Sequence, residues 1–267
     1  MMRDLLVIST YGEDASLEWF SIQQKMLDKF TTNYDFAVCL HEVETTEPFS
    51  GIEVLGEYEG DLLQALPAMF NRAMDVFRER KYKNYLLLDS DCFPVKGGWL
   101  AHLDKITEGY GYAAPIRTEN LDLFPHPSAL FIKGECIHNE WWDFKRLKEN
   151  EIKSIGGGKT KDIGTGFVQE DNGKKIYFPL IRTNFVNFHP ILGAIYGDTF
   201  YHHGGGSRMP FFRSENYWKK VAGSHYELGQ NAYKYLSKNP NKFVQMLRGT
   251  EALESATDLR NFTVLNW

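Results

Sequence analysis

Cysteine is scarce in this chain. There are 3, Cys39, Cys92 and Cys136, with neither a pairing logic nor the spacing of a metal site. That excludes a disulfide scaffold and fits reduced thiols in a cytoplasmic protein. Long apolar runs are missing too, and none approaches the roughly 20 residues of a membrane span. The start, Met1-Met2-Arg3-Asp4, leads into a short strand and lacks the apolar core of a secretory leader. Neither sign of charge dominates: the net charge is −5, which gives no global pull toward nucleic acid. Internal repeats, low-complexity tracts and clear linkers are absent as well. What remains is a chain of 267 residues, 43% hydrophobic, long enough for one large domain or one domain with a small extension.

Its most informative stretch is residues 85–95. The apolar run Leu86–Leu88 has no polar alternation, so it reads as a strand covered on both faces. The run stops at Asp89-Ser90-Asp91. Two carboxylates ending a buried strand are destabilising unless a cation sits there. Ligands of parallel α/β sheets bind at that edge. Hard carboxylate oxygens suit Mg²⁺ or Mn²⁺ bridging a bound phosphate. A surface Asx-turn is the plainer account of the same residues. A phosphatase with a nucleophilic aspartate is another, although such enzymes place the acidic pair after their first strand.

The rest of the first half alternates strand and helix. Leu5–Ser9, Tyr34–His41 and Gly51–Leu55 read as strands. Residues 16–30 and 62–80 carry helical periodicity, with Leu62, Leu66, Met69, Ala73 and Phe77 on one face. Pro67 must lie in the first turns of its helix or kink it. This alternation predicts a parallel α/β sheet. In the second half, Tyr112–Ile116, Ser128–Ile132 and Ile195–His203 read as strands, and Trp141–Asn150 as a helix. Asp162-Ile163-Gly164-Thr165-Gly166 predicts a helix start, with Asp162 suited to the N-cap. Gly204-Gly205-Gly206 is a hinge or, with Ser207 and Arg208, a phosphate clamp whose backbone N–H groups approach an anion. From Arg208 to Arg248 the chain turns basic and aromatic, with eight Lys/Arg against two Glu. That segment reads as a helical extension packed on the core, a patch resting on anionic lipid, or a nucleic-acid surface.

An Asp-x-Asp pair after an apolar strand, late in a βα half-domain, resembles the nucleotide-sugar glycosyltransferases of the GT-A fold. Asn71-Arg72-Ala73 before the motif strand, Pro94 and Trp99 after it, Asp162 at a Gly/Thr turn and a late histidine join the pattern. The likeness covers about residues 4–208. It implies a Rossmann-type mixed sheet flanked by helices over 1–208, with 209–267 as a small C-terminal extension. It implies a metal-dependent transfer of sugar from a nucleotide-diphosphate donor, UDP-linked, to a hydroxyl of a saccharide, a lipid-linked sugar or another acceptor. Asp89, Asp91 and His203 are the expected metal ligands. Adjacent histidines on a strand face opposite sides, so at most one of His202 and His203 binds metal; His203, beside the glycines, is the expected one. Ser9, Thr10, Tyr11, Arg72, Asp89, Ser90, His202, Ser207 and Arg208 are the expected donor contacts, with Tyr11 stacking on the base and Glu42 or Glu44 near base or ribose. Asp162 is the expected general base of an inverting transfer. Trp141-Trp142-Asp143 is a sugar-stacking face or simply core. The competing functions are a metal-dependent phosphatase or nucleotidyltransferase, an enzyme that sugars modified DNA bases, and a non-catalytic sugar-nucleotide binder. The cysteines, read as reduced thiols, make the cytoplasm the expected location, with contact to the inner face of a membrane as an option.

Overall fold

The computed structural model describes residues 3–12, 17–60, 62–118, 124–137, 144, 177–188, 192–204 and 224–250. Seven strands form the main sheet: β1 (Arg3–Gly12), β2 (Tyr34–His41), β3 (Glu53–Tyr58), β4 (Tyr82–Asp89), β6 (Tyr112–Pro115), β7 (Ala129–Lys133) and β8 (Tyr177–Leu180). Their order is β3-β2-β1-β4-β7-β6-β8. The first four are parallel, β7 is antiparallel to β4 and β6, and β8 runs parallel to β6. The sheet is therefore mixed and helix-flanked, as the family resemblance implies, and the parallel pairing that the alternation predicts holds for β3, β2, β1 and β4.

The unbroken apolar runs divide by parity. Leu6, Ile8, Tyr85 and Leu87 face α2 (Leu62–Glu79), meeting Met69, Phe70, Ala73 and Phe77. Leu5, Val7, Leu86 and Leu88 face the other way, onto Trp99 and Leu103 of α3 (Trp99–Ile106). Each fully buried side chain of this kind contributes ~1.5–3 kcal/mol. Polar residues would break one layer or the other, which is why the pattern has no alternation. Pro67 lies near the start of α2. The pairing Thr10↔Asp89 brings the C-terminal ends of β1 and β4 to one edge.

A second, antiparallel sheet has the order β5-β10-β9, from β5 (Cys92–Pro94), β9 (Ala194–Tyr196) and β10 (Phe200–His202). This corrects the reading of Ile195–His203 as one strand. Gly197 and Asp198 both take positive φ, 59° and 51°, and the Thr199 amide donates to the Tyr196 carbonyl at 2.9 Å. Two left-handed residues in succession make a tight hairpin turn that suits right-twisted strands.

α1 (Leu17–Phe30), α4 (Ser224–Lys238) and α5 (Pro240–Arg248) cover this second sheet. Trp19, Ile22 and Met26 share a core with Phe93, Tyr201, Ala232, Tyr233, Leu236, Phe243 and Leu247. Local signals fix α5. The Asn239 side chain accepts from the Lys242 amide, Pro240 opens the helix, and Gly249 closes it at φ 68°. Within 224–250, then, several aromatics are core. Among the described residues no helix is long and apolar enough to cross a membrane.

Candidate metal centre at the end of β4

Asp89 is the last residue of β4, and Ser90-Asp91 turn the chain into β5. Three bonds donated by backbone amides pin this turn. The Asp89 amide donates to the Ser128 carbonyl at 3.0 Å, and the His203 amide donates to the Asp91 carbonyl at 3.1 Å. The Gly204 amide donates to Asp91 Oδ2 at 3.0 Å. β10 pairs with β5 so that His202 lies opposite Cys92, next to Asp91. That register carries His202 Nε2 to 3.8 Å from Asp89 Oδ2 and 3.5 Å from Asp91 Oδ1. One ligand atom from each of Asp89, Asp91 and His202 lies within 4.8 Å of the other two.

Asp91 and His202 are buried and Asp89 is partly exposed. Burial pushes the His202 pKa down to about 4; Asp91 pulls it upward, while His126, Arg117 and His203 add to the fall. At neutral pH the imidazole is uncharged, so its contacts with the carboxylates are not ion pairs. A neutral ring keeps a lone pair for a cation. Mg²⁺ holds its ligand atoms at about 2.1 Å, so pairs 3.5 Å and 3.8 Å apart can share one ion. Two carboxylate oxygens and one imidazole nitrogen fit Mn²⁺ or Mg²⁺ by charge and by ligand type.

The histidines sit opposite to the sequence expectation. His203 is fully buried on the other face, its ring 4.8 Å from that of Trp19. Its Nδ1 lies 2.8 Å from the Tyr201 hydroxyl. Burial also holds its pKa at about 4. His202 is the one among the carboxylates.

Other expected donor contacts are occupied differently. Tyr11 is enclosed, with its ring against Phe20 and Phe49 and its hydroxyl donating to Gln23 Oε1 at 2.6 Å. A ring buried on both faces does not stack on a base. The Ser9 and Thr10 hydroxyls donate to the Leu88 carbonyl at 3.3 and 3.5 Å. Ser90 is buried, and its carbonyl accepts from Gln23. Arg72 reaches the Leu55 carbonyl at 3.4 Å and Glu79 at 3.6 Å, on α2 rather than at the strand ends. Glu42, at φ 48°, binds the Gly60 amide through its carboxylate. Asp162, Ser207, Arg208, Gly205-Gly206 and the Trp141–Asp143 segment lie outside the described residues.

Two neighbours were not anticipated. His126 is buried with its ring 5.6 Å from that of His202, and its Nδ1 accepts from the Ser128 amide at 3.2 Å. Gln23 is wholly buried on α1 and bonds to the Asp89–Cys92 turn. A glutamine inside the stripe Trp19, Ile22, Met26, Leu27 is the signal that could have found it.

No protein-family model matches the chain, and no curated protein matches it in sequence. Solved structures similar to it include the glycosyltransferase GlyE of Streptococcus pneumoniae TIGR4, at 13% identity and a TM-score of 0.43, over 67% of this chain and 45% of that one. The chain thus spans less than half of GlyE. The galactosyltransferase LgtC, in complex with donor and acceptor sugar analogs, aligns at 12% identity and a TM-score of 0.40, over 64% of this chain and 72% of that one. Mouse xyloside xylosyltransferase 1 aligns at 7% identity and a TM-score of 0.42, over 66% of this chain and 85% of that one. TM-scores near 0.4 leave the fold to be read from the strand order above and the chemistry from the residues at the strand ends.

Proposed function

We propose that the protein is a metal-dependent glycosyltransferase that takes a sugar from a nucleotide-diphosphate donor, UDP-linked, to an acceptor hydroxyl. The observation that carries this reading is the convergence of Asp89, Asp91 and His202 at the C-terminal end of β4, beside the end of β1. Asp89, Asp91 and His202 would hold Mn²⁺ or Mg²⁺. A divalent ion there supplies charge neutralisation for a departing diphosphate. Asp89 is the most exposed of the three. In the transfer, the acceptor oxygen bonds to the anomeric carbon and the bond from that carbon to the β-phosphate oxygen breaks. Asp162 is proposed to take the acceptor's proton as its oxygen attacks the face opposite the leaving diphosphate, an inverting transfer. The proposed acceptor is a saccharide, lipid-linked or other hydroxyl.

Release of nucleoside diphosphate from a panel of nucleotide sugars, with Mn²⁺ or with EDTA, tests the proposal. Mn²⁺-dependent release of UDP that Asp91→Asn abolishes is the expected result. Release of orthophosphate from phosphomonoesters would make the protein a phosphatase. Release of pyrophosphate from a nucleoside triphosphate would make it a nucleotidyltransferase.

A further inference from the structure

Behind the carboxylates sits a buried amide. Gln23 Nε2 donates to the Asp89 carbonyl at 2.9 Å and to the Cys92 carbonyl at 2.7 Å, and the Ser90 carbonyl lies 3.3 Å away. Two amide hydrogens serve three carbonyls, so the longest contact is shared. Carbonyls only accept, which forces the nitrogen end of the amide toward the turn. The oxygen end then needs a donor, and the Tyr11 hydroxyl supplies it at 2.6 Å. Tyr11 is itself packed in a three-ring cluster with Phe20 and Phe49. The chain of contacts runs from an aromatic cluster, through one phenol and one amide, to the peptide groups on both sides of Asp91.

This is an unusual use of a buried helix position. Trp19, Ile22 and Met26 on the same side of α1 pack into an apolar core. An amide there is stable only if its hydrogen bonds are made. Bonds to peptide groups 89, 90 and 92 restrict the backbone torsions that aim both carboxylates. We propose that Gln23, oriented by Tyr11, is a positioning residue that sets the separation and direction of Asp89 and Asp91 for a divalent cation. The inference rests on the metal reading above and adds to it a second layer of control.

Mn²⁺ binding to the full chain, measured by the electron-paramagnetic signal of free Mn²⁺, tests it. Four variants are compared with wild type: Asp91→Asn, Gln23→Met, Tyr11→Phe and Met26→Ala. Gln23→Met keeps length and loses the amide. Tyr11→Phe keeps the ring in its pocket and removes only the bond that orients the amide, so it serves if Gln23→Met does not fold. Met26→Ala loosens the same helix without touching the turn. Loss of a group that orients metal ligands weakens binding by about tenfold to about a hundredfold. That loss is expected for Gln23→Met, a smaller one for Tyr11→Phe, and none for Met26→Ala despite its lower melting temperature. Wild-type affinity in both Gln23→Met and Tyr11→Phe would overturn the clamp alone. Equal weakening by Met26→Ala would reduce it to general packing. A wild-type chain that binds no Mn²⁺ would overturn the metal reading, and the clamp with it.

Discussion

Two groups of aspartates in this molecule are built on opposite principles. Asp198, at the tip of the β9–β10 hairpin, meets Arg248 through two bonds of 2.8 and 3.1 Å and Lys96 through one of 2.7 Å. Desolvation pushes its pKa up, but the bonds to Arg248 and Lys96 outweigh it and hold the carboxyl below its ordinary value. Charge there is answered by charge, and the cluster ties α5 to the hairpin. Asp89 and Asp91 instead converge on a histidine that burial keeps neutral. The hairpin belongs to both groups, since its turn carries Asp198 and its second strand ends on His202. A carboxylate held by two cations works as a staple. Like charges gathered around an uncharged nitrogen form a place for a cation.

The sharpest break in that contrast is at the second group. Asp91→Asn keeps an oxygen for the Gly204 amide but removes a charge, so Mn²⁺-dependent UDP binding should fall beyond detection while the fold survives. Isothermal titration checks it, and His202→Ala should lose most of the same affinity. His203→Asn should keep it within about threefold, since about 1.4 kcal/mol is needed for each tenfold. The opposite ranking of the two histidines would restore the expectation drawn from sequence.

Asp162→Asn should leave donor affinity near wild type and slow transfer at least about a hundredfold, the usual scale for losing a general base. Single-turnover rates with saturating donor measure it. Full activity in that variant would leave Asp162 as a helix cap.

The histidines also predict a pH response. Both His202 and His203 have their pKa lowered by burial from 6.5 to about 4. Between those values the unfolded chain binds protons that the folded chain refuses, so stability falls as pH drops through that window and levels off below it. Urea unfolding of the metal-free protein at stepped pH should show the slope, and His203→Asn should reduce it to about half, His202 supplying the rest. A flat profile across the window would mean that the rings are solvated.

Smallest is the effect at the staple. Arg248→Met should cost about 1 kcal/mol, since partly exposed ion pairs contribute little, and should leave Mn²⁺ affinity unchanged. The sign follows from a carboxyl held below its ordinary value of 3.8. Its contribution is complete above that value and is lost as pH falls through the folded-state pKa, so wild type and variant should converge in acid. Thermal melts of both proteins across that range decide it. Reduced Mn²⁺ affinity in Arg248→Met would show that the two groups are coupled through the hairpin.

Sequence alone determined the parts whose signals are local. Leu86–Leu88 read as a strand covered on both faces, because an unbroken apolar run leaves no residue to face water. Its abrupt end in Asp89 and Asp91 marked the edge where chemistry belongs. Helices α1 and α2 followed from their period, and β2 from its apolar content. Tertiary structure decided what depends on distant partners. Which histidine meets the carboxylates is set by the pairing of His202 with Cys92, a register between segments far apart in the chain. Moving that register by one residue would have presented His203 instead. Tyr11, at the end of the first strand, is expected from sequence to stack on a base, yet Phe20 and Phe49 pack against it in the interior. Gln23 draws no notice in sequence, because its role depends on a turn more than sixty residues away. Periodicity reports which face of an element is buried; only packing reports what that face meets.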